Sequence, residues 1–87
     1  MSQLRRAALS GYLNLREGAG EFSPAEKARI YRLSMRSIRE AVGCLIVVIT
    51  LHPPLTEIAE AAIAVAREVA PQIGRMAVYH QRNRMRE

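Results

Sequence analysis

Residues 23–54, SPAEKARIYRLSMRSIREAVGCLIVVITLHPP, decide the fold of this chain. Ser23 is placed to cap a helix whose first position is Pro24, and Glu26 can reach back to complete the capping box. These residues predict that a helix begins here. It is predicted to end by His52, because the two prolines that follow cannot continue it.

Apolar residues recur every seven positions along this helix and form two neighbouring rows. The first row holds Ala28, Met35, Val42 and Ile49, and the second holds Tyr31, Ile38 and Leu45. Two such rows make one stripe, which is predicted to pack against another helix. From Leu45 to Ile49 the helix is apolar all round, and a single stripe cannot cover that surface. We therefore expect this end to be buried on several sides, partly by another subunit.

A shorter helix is predicted before it, over residues 3–17. The residues that share one face at helical spacing are Leu4, Ala8, Gly11 and Leu15. The helix is predicted to close at Gly18-Ala19-Gly20, because glycine can take the left-handed backbone that ends a helix.

The segment after the prolines, residues 54–83, carries two further heptad rows. They are Leu55, Ala62, Val69 and Met76, and Ile58, Val65, Gln72 and Tyr79. These rows predict the face through which a third helix packs. Pro71 removes one backbone hydrogen bond and predicts a kink near residues 67–71.

Together these patterns predict an all-α fold, an up-and-down bundle of three helices within one domain, 1–87. A chain of 87 residues buries only about 60–65% of the surface that its unfolded form exposes, so its core alone is marginal. The single Cys44 excludes an intrachain disulfide, and two histidines with one cysteine do not make a zinc site. Assembly as a homo-oligomer is therefore the expected source of further stability.

The chain is strongly basic, with 13 Lys and Arg against 8 acidic residues and a pI near 10.4. All but one of these cations are Arg, whose planar guanidinium suits phosphate and carboxylate. A high-GC genome would give the same bias without selection for binding. The most apolar run, residues 43–51, is well short of the roughly 20 residues that span a bilayer, and the N-terminus lacks a secretory signal. We expect a cytoplasmic chain with no membrane partner.

One face of the middle helix carries a row of arginines at spacings of three, four and three. They are Arg29, Arg32, Arg36 and Arg39. The row lies roughly a quarter turn from the apolar stripe, so it can point outward while the stripe packs. Arg29 can pair with Glu26, and Arg36 with Glu40. Arg32 and Arg39 have no acid three or four positions away.

A helix face with unpaired guanidinium groups can bind phosphates. These four arginines are therefore the predicted nucleic-acid-binding residues. The alternative is a solvated face, or a set of ion pairs with glutamates of a neighbouring subunit.

A second polar set consists of Asn14, Glu17, Ser37 and Glu40. The two glutamates could form a carboxylate pair for acid–base chemistry or metal binding. However, arginines lie near both, and the Glu-x-x-His motif of helix-bundle metal sites is absent. We predict a structural polar network between helices, and no enzymatic activity, cofactor, metal site or small-molecule substrate.

Several stretches resemble one known family. They are Gln3 to Ser10 (QLRRAALS) with Asn14 and Glu17-Gly18, then Ser23 to Arg29 (SPAEKAR) with Tyr31, Ser37 and Glu40, and finally Ile73 to Met76 (IGRM). They are similar to the four-helix bundle protein family, which includes open reading frames in intervening sequences of bacterial 23S ribosomal RNA genes. The family has a further helix before the Gln-Leu-Arg-Arg motif, so this chain supplies three of the four. The family also more often has a proline-containing turn where this chain has Gly11-Tyr12-Leu13.

The resemblance implies a compact helical bundle, a ring of five in some members, and no enzymatic activity. Related accessory proteins of diversity-generating retroelements are basic rings thought to hold nucleic acid beside a reverse transcriptase. We therefore predict a non-enzymatic, oligomeric bundle that binds RNA or DNA through arginine–phosphate contacts. The alternative is a structural or protein-interaction module, whose arginines form salt bridges between subunits or with an acidic partner.

Overall fold

The computed structural model describes residues 2–86, and the side chains of residues 2–83. Helix α1 spans Ser2–Gly20, α2 spans Pro24–Leu51, a short 3-10 helix spans Pro53–Leu55, and α3 spans Thr56–Arg86. Residues 2–86 contain no strand. The predicted all-α fold with three helices is confirmed, although α1 is longer than expected at both ends and α3 begins two residues later. Residues 1 and 87 of the predicted domain lie outside the described part.

The start and end of α2 follow the local signals in the sequence. The Ser23 hydroxyl accepts a hydrogen bond from the Glu26 backbone N–H at 3.5 Å, and Pro24 occupies the first helical turn. The His52 N–H donates to the carbonyl of Val48 at 2.8 Å. The prediction that the Glu26 side chain reaches back to complete the capping box is wrong, because its carboxylate accepts a hydrogen bond from Arg29 instead.

Helix α2 lies between the other two helices and runs antiparallel to both. Ser10 of α1 contacts Ser37 of α2, and Arg32 of α2 contacts Gln81 near the end of α3. No Cα atom of α1 lies within 8 Å of a Cα atom of α3 in the described chain. The Cα atoms extend over 51 × 21 × 14 Å. The bundle is therefore open, with α2 as the shared partner of the two outer helices.

The core forms where all three helices contribute side chains. Tyr31, Ile73 and Ala77 are buried, with Leu15, Met35, Ile38 and Val69 packed against them. Tyr31 and Ile38 belong to the stripe predicted on α2, so that stripe does face other helices. The apolar end of α2 is only partly covered in the single chain, where Ile46 and Val47 stay about half exposed.

The end of α1 is not the glycine cap that the sequence predicts. The described chain contains no glycine with positive φ, and Gly18 is helical and buried. A Cβ atom at Gly18 would lie 2.8 Å from Cε1 of Tyr31, so glycine serves close packing and not a left-handed turn. The last carbonyls of α1 are bound by Lys27 of α2, whose Nζ donates to Gly18 at 3.2 Å and to Ala19 at 3.1 Å. A cation at this position also suits the helix dipole.

The face through which α3 packs differs from the predicted heptad rows. The buried residues are Ala59, Ile63, Ile73 and Ala77, none of which belongs to those rows. Small residues allow α3 to approach α2 closely, and at Gly74 a Cβ atom would lie 3.3 Å from the Met35 methyl. Close approach thus selects this face over the bulkier rows. The helix continues through Pro71, which is exposed. None of the described helices combines the length and apolar character needed to cross a membrane.

Candidate nucleic-acid interface

The arginine row of α2 lies on the outside of the bundle. Arg29, Arg32, Arg36 and Arg39 are all exposed. Their exposure follows from the arrangement of the helices, because α1 and α3 pack against other faces of α2. The predicted site is therefore accessible in the single chain.

A groove between α2 and α3 brings further arginines to this row. Its walls carry Arg32, Arg36 and Arg39 from α2, with Arg75 and Arg82 from α3. Apolar side chains, including Met35, Pro71 and Val78, also line the groove, which is open to solvent and has a volume of about 1000 Å³. No carboxylate is among its lining residues in the described part of the chain. Five arginines thus line one open groove without a carboxylate among them, and the carboxylate of Glu26 lines the adjoining depression beside Arg32 and Arg36.

Arg29 differs from the rest of the row because its charge is balanced. Its guanidinium contacts both carboxylate oxygens of Glu26, with Nη2 to Oε2 at 2.8 Å and Nε to Oε1 at 3.2 Å. The hydrogen bond to Arg29 lowers the pKa of Glu26, and the carboxylate in turn raises the pKa of Arg29. The predicted Arg29–Glu26 pair is confirmed, and it makes Arg29 a weaker candidate for phosphate.

The three remaining arginines of the row are less constrained. Arg32 Nη1 donates to Oε1 of Gln81 at 3.3 Å, which links α2 to the end of α3. Arg36 and Arg39 make no hydrogen bond or ion pair with any residue from 2 to 83. The Arg36–Glu40 pair considered from the sequence does not form. Arg36 and Arg39 are therefore the arginines whose donors remain available to a ligand.

Sequence reasoning missed the contribution of α3 to this site. Arg75 and Arg82 lie far along the chain, and antiparallel packing of α3 on α2 brings them beside the row. Arg67 lies beside Arg39 in an adjoining depression. The available signal was the seven-residue spacing of Arg75 and Arg82, which places both on one side of a helix.

The second polar set divides into a partly buried network and two exposed acids. The Ser10 and Ser37 hydroxyls are 3.0 Å apart, and Asn14 Nδ2 donates to the Ser10 carbonyl at 2.9 Å. The fully buried Ser34 donates to the Gly11 carbonyl at 2.7 Å. This network joins α1 to α2, as predicted for Asn14 and Ser37.

Glu17 and Glu40 are exposed and take no part in that network, so the structural role predicted for them is wrong. Neither glutamate belongs to a cluster of side chains within residues 2–83 that could hold a metal ion. In the described residues no group of three His, Cys, Asp or Glu side chains is placed to hold a metal ion. What the arrangement offers chemically is anion binding at the arginine groove.

Comparison with family models, with curated proteins and with solved structures finds no match to this chain. The relation to the four-helix bundle family that the sequence motifs suggest therefore stays a prediction. The arguments for function rest on the residues of the groove itself.

Proposed function

We propose that this chain binds the sugar–phosphate backbone of RNA or DNA through the arginine groove between α2 and α3. The observation that supports this proposal is the set of five arginines that line the groove without a carboxylate among them. On the α2 wall, Arg36 and Arg39 are the arginines without a partner among residues 2–83. Guanidinium groups present several donors in a plane and bind phosphate oxygens in pairs.

The spacing of the row suits a continuous backbone. Arg32 and Arg39 are seven residues apart, which is roughly 10 Å along a helix axis. One strand of B-form DNA advances about 3.4 Å per nucleotide, so the row covers about three phosphates. Phosphate contacts carry no base information, and Tyr79 is the aromatic side chain that lines the groove. Binding is therefore expected to be weakly selective for sequence.

The test compares two variants that remove the same charge from different surfaces. Arg36→Ala/Arg39→Ala removes two cations of the groove. Arg5→Ala/Arg6→Ala removes two exposed cations of α1, outside the groove. Fluorescence anisotropy with labelled single- and double-stranded RNA and DNA, at several salt concentrations, measures each affinity. Circular dichroism and light scattering check that fold and assembly are unchanged.

We expect wild-type affinity to fall steeply with salt, because bound phosphates release counterions. The groove variant should bind all sequences more weakly and reduce the slope of log K against log salt by about two, one for each lost contact. The α1 variant should keep most of the slope. Absence of wild-type binding at low salt contradicts the proposal. Equal losses of affinity in the two variants would indicate that binding depends on total charge and that the groove has no specific role. A groove variant that loses its assembly would favour the alternative, in which these arginines form ion pairs with another protein chain.

A further inference from the structure

Helix α3 has an apolar face that no part of the described chain covers. The stripe consists of the two heptad rows of α3, in which Val69 packs against the core and the other members are exposed. Its exposed large side chains are Leu55, Ile58, Val65, Met76 and Tyr79, with exposed fractions from 36% to 72%. The row buried against α2 includes Ala59 and Ile63, which follow or precede the stripe residues by one or two positions. The centres of the two faces are therefore roughly 100° apart around the helix, and α2 leaves most of the stripe uncovered, although Leu55 and Val69 lie at its border with the buried face.

The length and repeat of this stripe match a helix partner better than a small ligand. Residues 55–79 span about 36 Å of helix. Apolar residues that repeat every seven positions over this length form the seam of a coiled coil, in which a second helix fills the spaces between them. An exposed apolar surface of this length marks a protein interface, and it is interrupted at its middle by the packed Val69 and the polar Gln72.

Charges along the edge of the stripe indicate which helix fits. One edge carries Glu68, Arg75 and Arg82, each seven residues from the next. None of the three forms an ion pair within the described chain. Glu68 and Arg75 also have no charged residue three or four positions away on α3. This edge is acidic in the middle, at Glu68, and basic toward the C-terminus, at Arg75 and Arg82. Two copies of the edge that run in opposite directions can therefore place an acidic residue opposite a basic one.

We propose that the stripe on α3 binds α3 of a second copy of this chain, antiparallel about a two-fold axis. In antiparallel pairs the residues at equivalent edges face each other, so Glu68 of one copy meets Arg75 of the other, twice by symmetry. The same register places Val69 against Gln72 and Val65 against Met76. The amide of Gln72 donates to the carbonyl of Glu68 in its own helix at 3.2 Å, so its polar end is already satisfied.

The exposed apolar residues of α1 fit the stripe less well. Leu9, Tyr12 and Leu13 are about half exposed, but Arg5 and Arg16 lie on the same helix. Because Arg5 and Arg16 lie near opposite ends of α1, either orientation of that helix on the stripe would bring one cation toward the basic end of α3. A self-complementary edge makes α3 the better partner, because opposite charges then face each other along the seam.

The proposed dimer adds to the nucleic-acid function without depending on it. Arg75 and Arg82 line the arginine groove and also edge the stripe, so in the dimer Arg75 pairs with Glu68 of the second copy and Arg32, Arg36, Arg39 and Arg82 remain for phosphate. Equivalent edges of an antiparallel pair lie on one side of it, so the two grooves would open on the same side of the dimer. Arg36 and Arg39 are on α2 and outside the stripe, so their substitution tests the groove separately.

The first experiment removes apolar contacts from the stripe. Ile58→Gln/Val65→Gln changes two side chains that are 72% and 61% exposed in the single chain, and Gln is a good helix former. The fold of the single chain should therefore survive, which circular dichroism checks. Leu9→Gln/Leu13→Gln makes the matched change on α1. Sedimentation equilibrium should give twice the 9.7 kDa chain mass for wild type and for the α1 variant. The stripe variant should associate at least about a hundredfold more weakly.

The second experiment tests direction and register. Glu68→Arg and Arg75→Glu each place like charges opposite one another and should weaken association about three- to tenfold. The double variant again places opposite charges across the interface and should restore association. An ion pair within one helix cannot explain this restoration, because residues 68 and 75 are two turns apart. A wild-type mass of one chain or of five chains overturns the proposal. So does an assembly that the stripe variant leaves intact, or a double reversal that fails to restore the dimer.

Discussion

Gly18 offers the most direct test of how α1 packs on α2. It lies against the ring of Tyr31, which is 3% exposed. In the Gly18→Ala variant the added Cβ would lie 2.8 Å from Cε1 and 2.9 Å from Cδ1 of Tyr31. These distances are too short for carbon atoms, and a buried ring cannot turn aside as a flexible side chain could. Either the helix or the ring must move.

The expected cost follows from two opposing effects. Overpacking a core costs about 1–3 kcal/mol, whereas replacing glycine by alanine inside a helix gains about 1 kcal/mol. The free energy of unfolding should therefore fall by up to about 2 kcal/mol. Gly43→Ala is the matched control, because a Cβ there meets nothing within 4 Å. It should gain about 1 kcal/mol.

Urea unfolding followed by circular dichroism measures both changes. The two variants should differ by about 1–3 kcal/mol and shift the midpoint in opposite directions. In a Tyr31→Leu background the cost of Gly18→Ala should largely disappear, because the clashing ring atoms are gone. If Gly18→Ala stabilises the chain as much as Gly43→Ala does, α1 does not approach Tyr31 as described, and the reasoning is refuted.

Four further changes probe other contacts. Ser34→Ala removes the buried hydrogen bond to Gly11 and should cost about 1 kcal/mol in urea unfolding. Ser23→Ala removes the cap of α2 and should cost about 0.5–1 kcal/mol, at the low end because the bond is 3.5 Å long. Lys27→Met removes the bonds to the last carbonyls of α1, so hydrogen exchange should become faster at the end of that helix. Burial, and then the charge of Lys27, lower the pKa of His80 below 6.5. The unfolded chain therefore binds the proton more readily, so stability should fall as the pH drops through 6.5, and His80→Gln should reduce this dependence. An unchanged pH dependence in that variant would contradict the assignment.

Several features of α2 could be predicted from local sequence alone. Its cap at Ser23, its first turn at Pro24 and its end before the two prolines depend on residues within a few positions of each other. Backbone hydrogen bonding near a helix end is decided at that range. The sequence also indicated that the arginine row can point outward, a quarter turn from the packed stripe, and left ion pairs with a neighbouring subunit as the alternative.

Other features were decided by packing between distant residues. Gly18 is helical and packs against Tyr31, whereas a turn was the local alternative. The face of α3 that packs is the one whose small residues, such as Ala59, Gly74 and Ala77, let two helix backbones approach closely. Apolar periodicity gives two candidate faces on α3, and only contact with α2 distinguishes them.

The candidate site shows the same division. The sequence by itself determined a row of arginines on one face of α2, because helix geometry depends only on spacing along the chain. The tertiary structure decided which of them are free, through the pair of Arg29 with Glu26 and the contact of Arg32 with Gln81. It also brought Arg75 and Arg82 to the groove from the far end of the chain. A binding groove needs two walls, and the second wall comes from a helix whose position is set by close packing and not by local sequence.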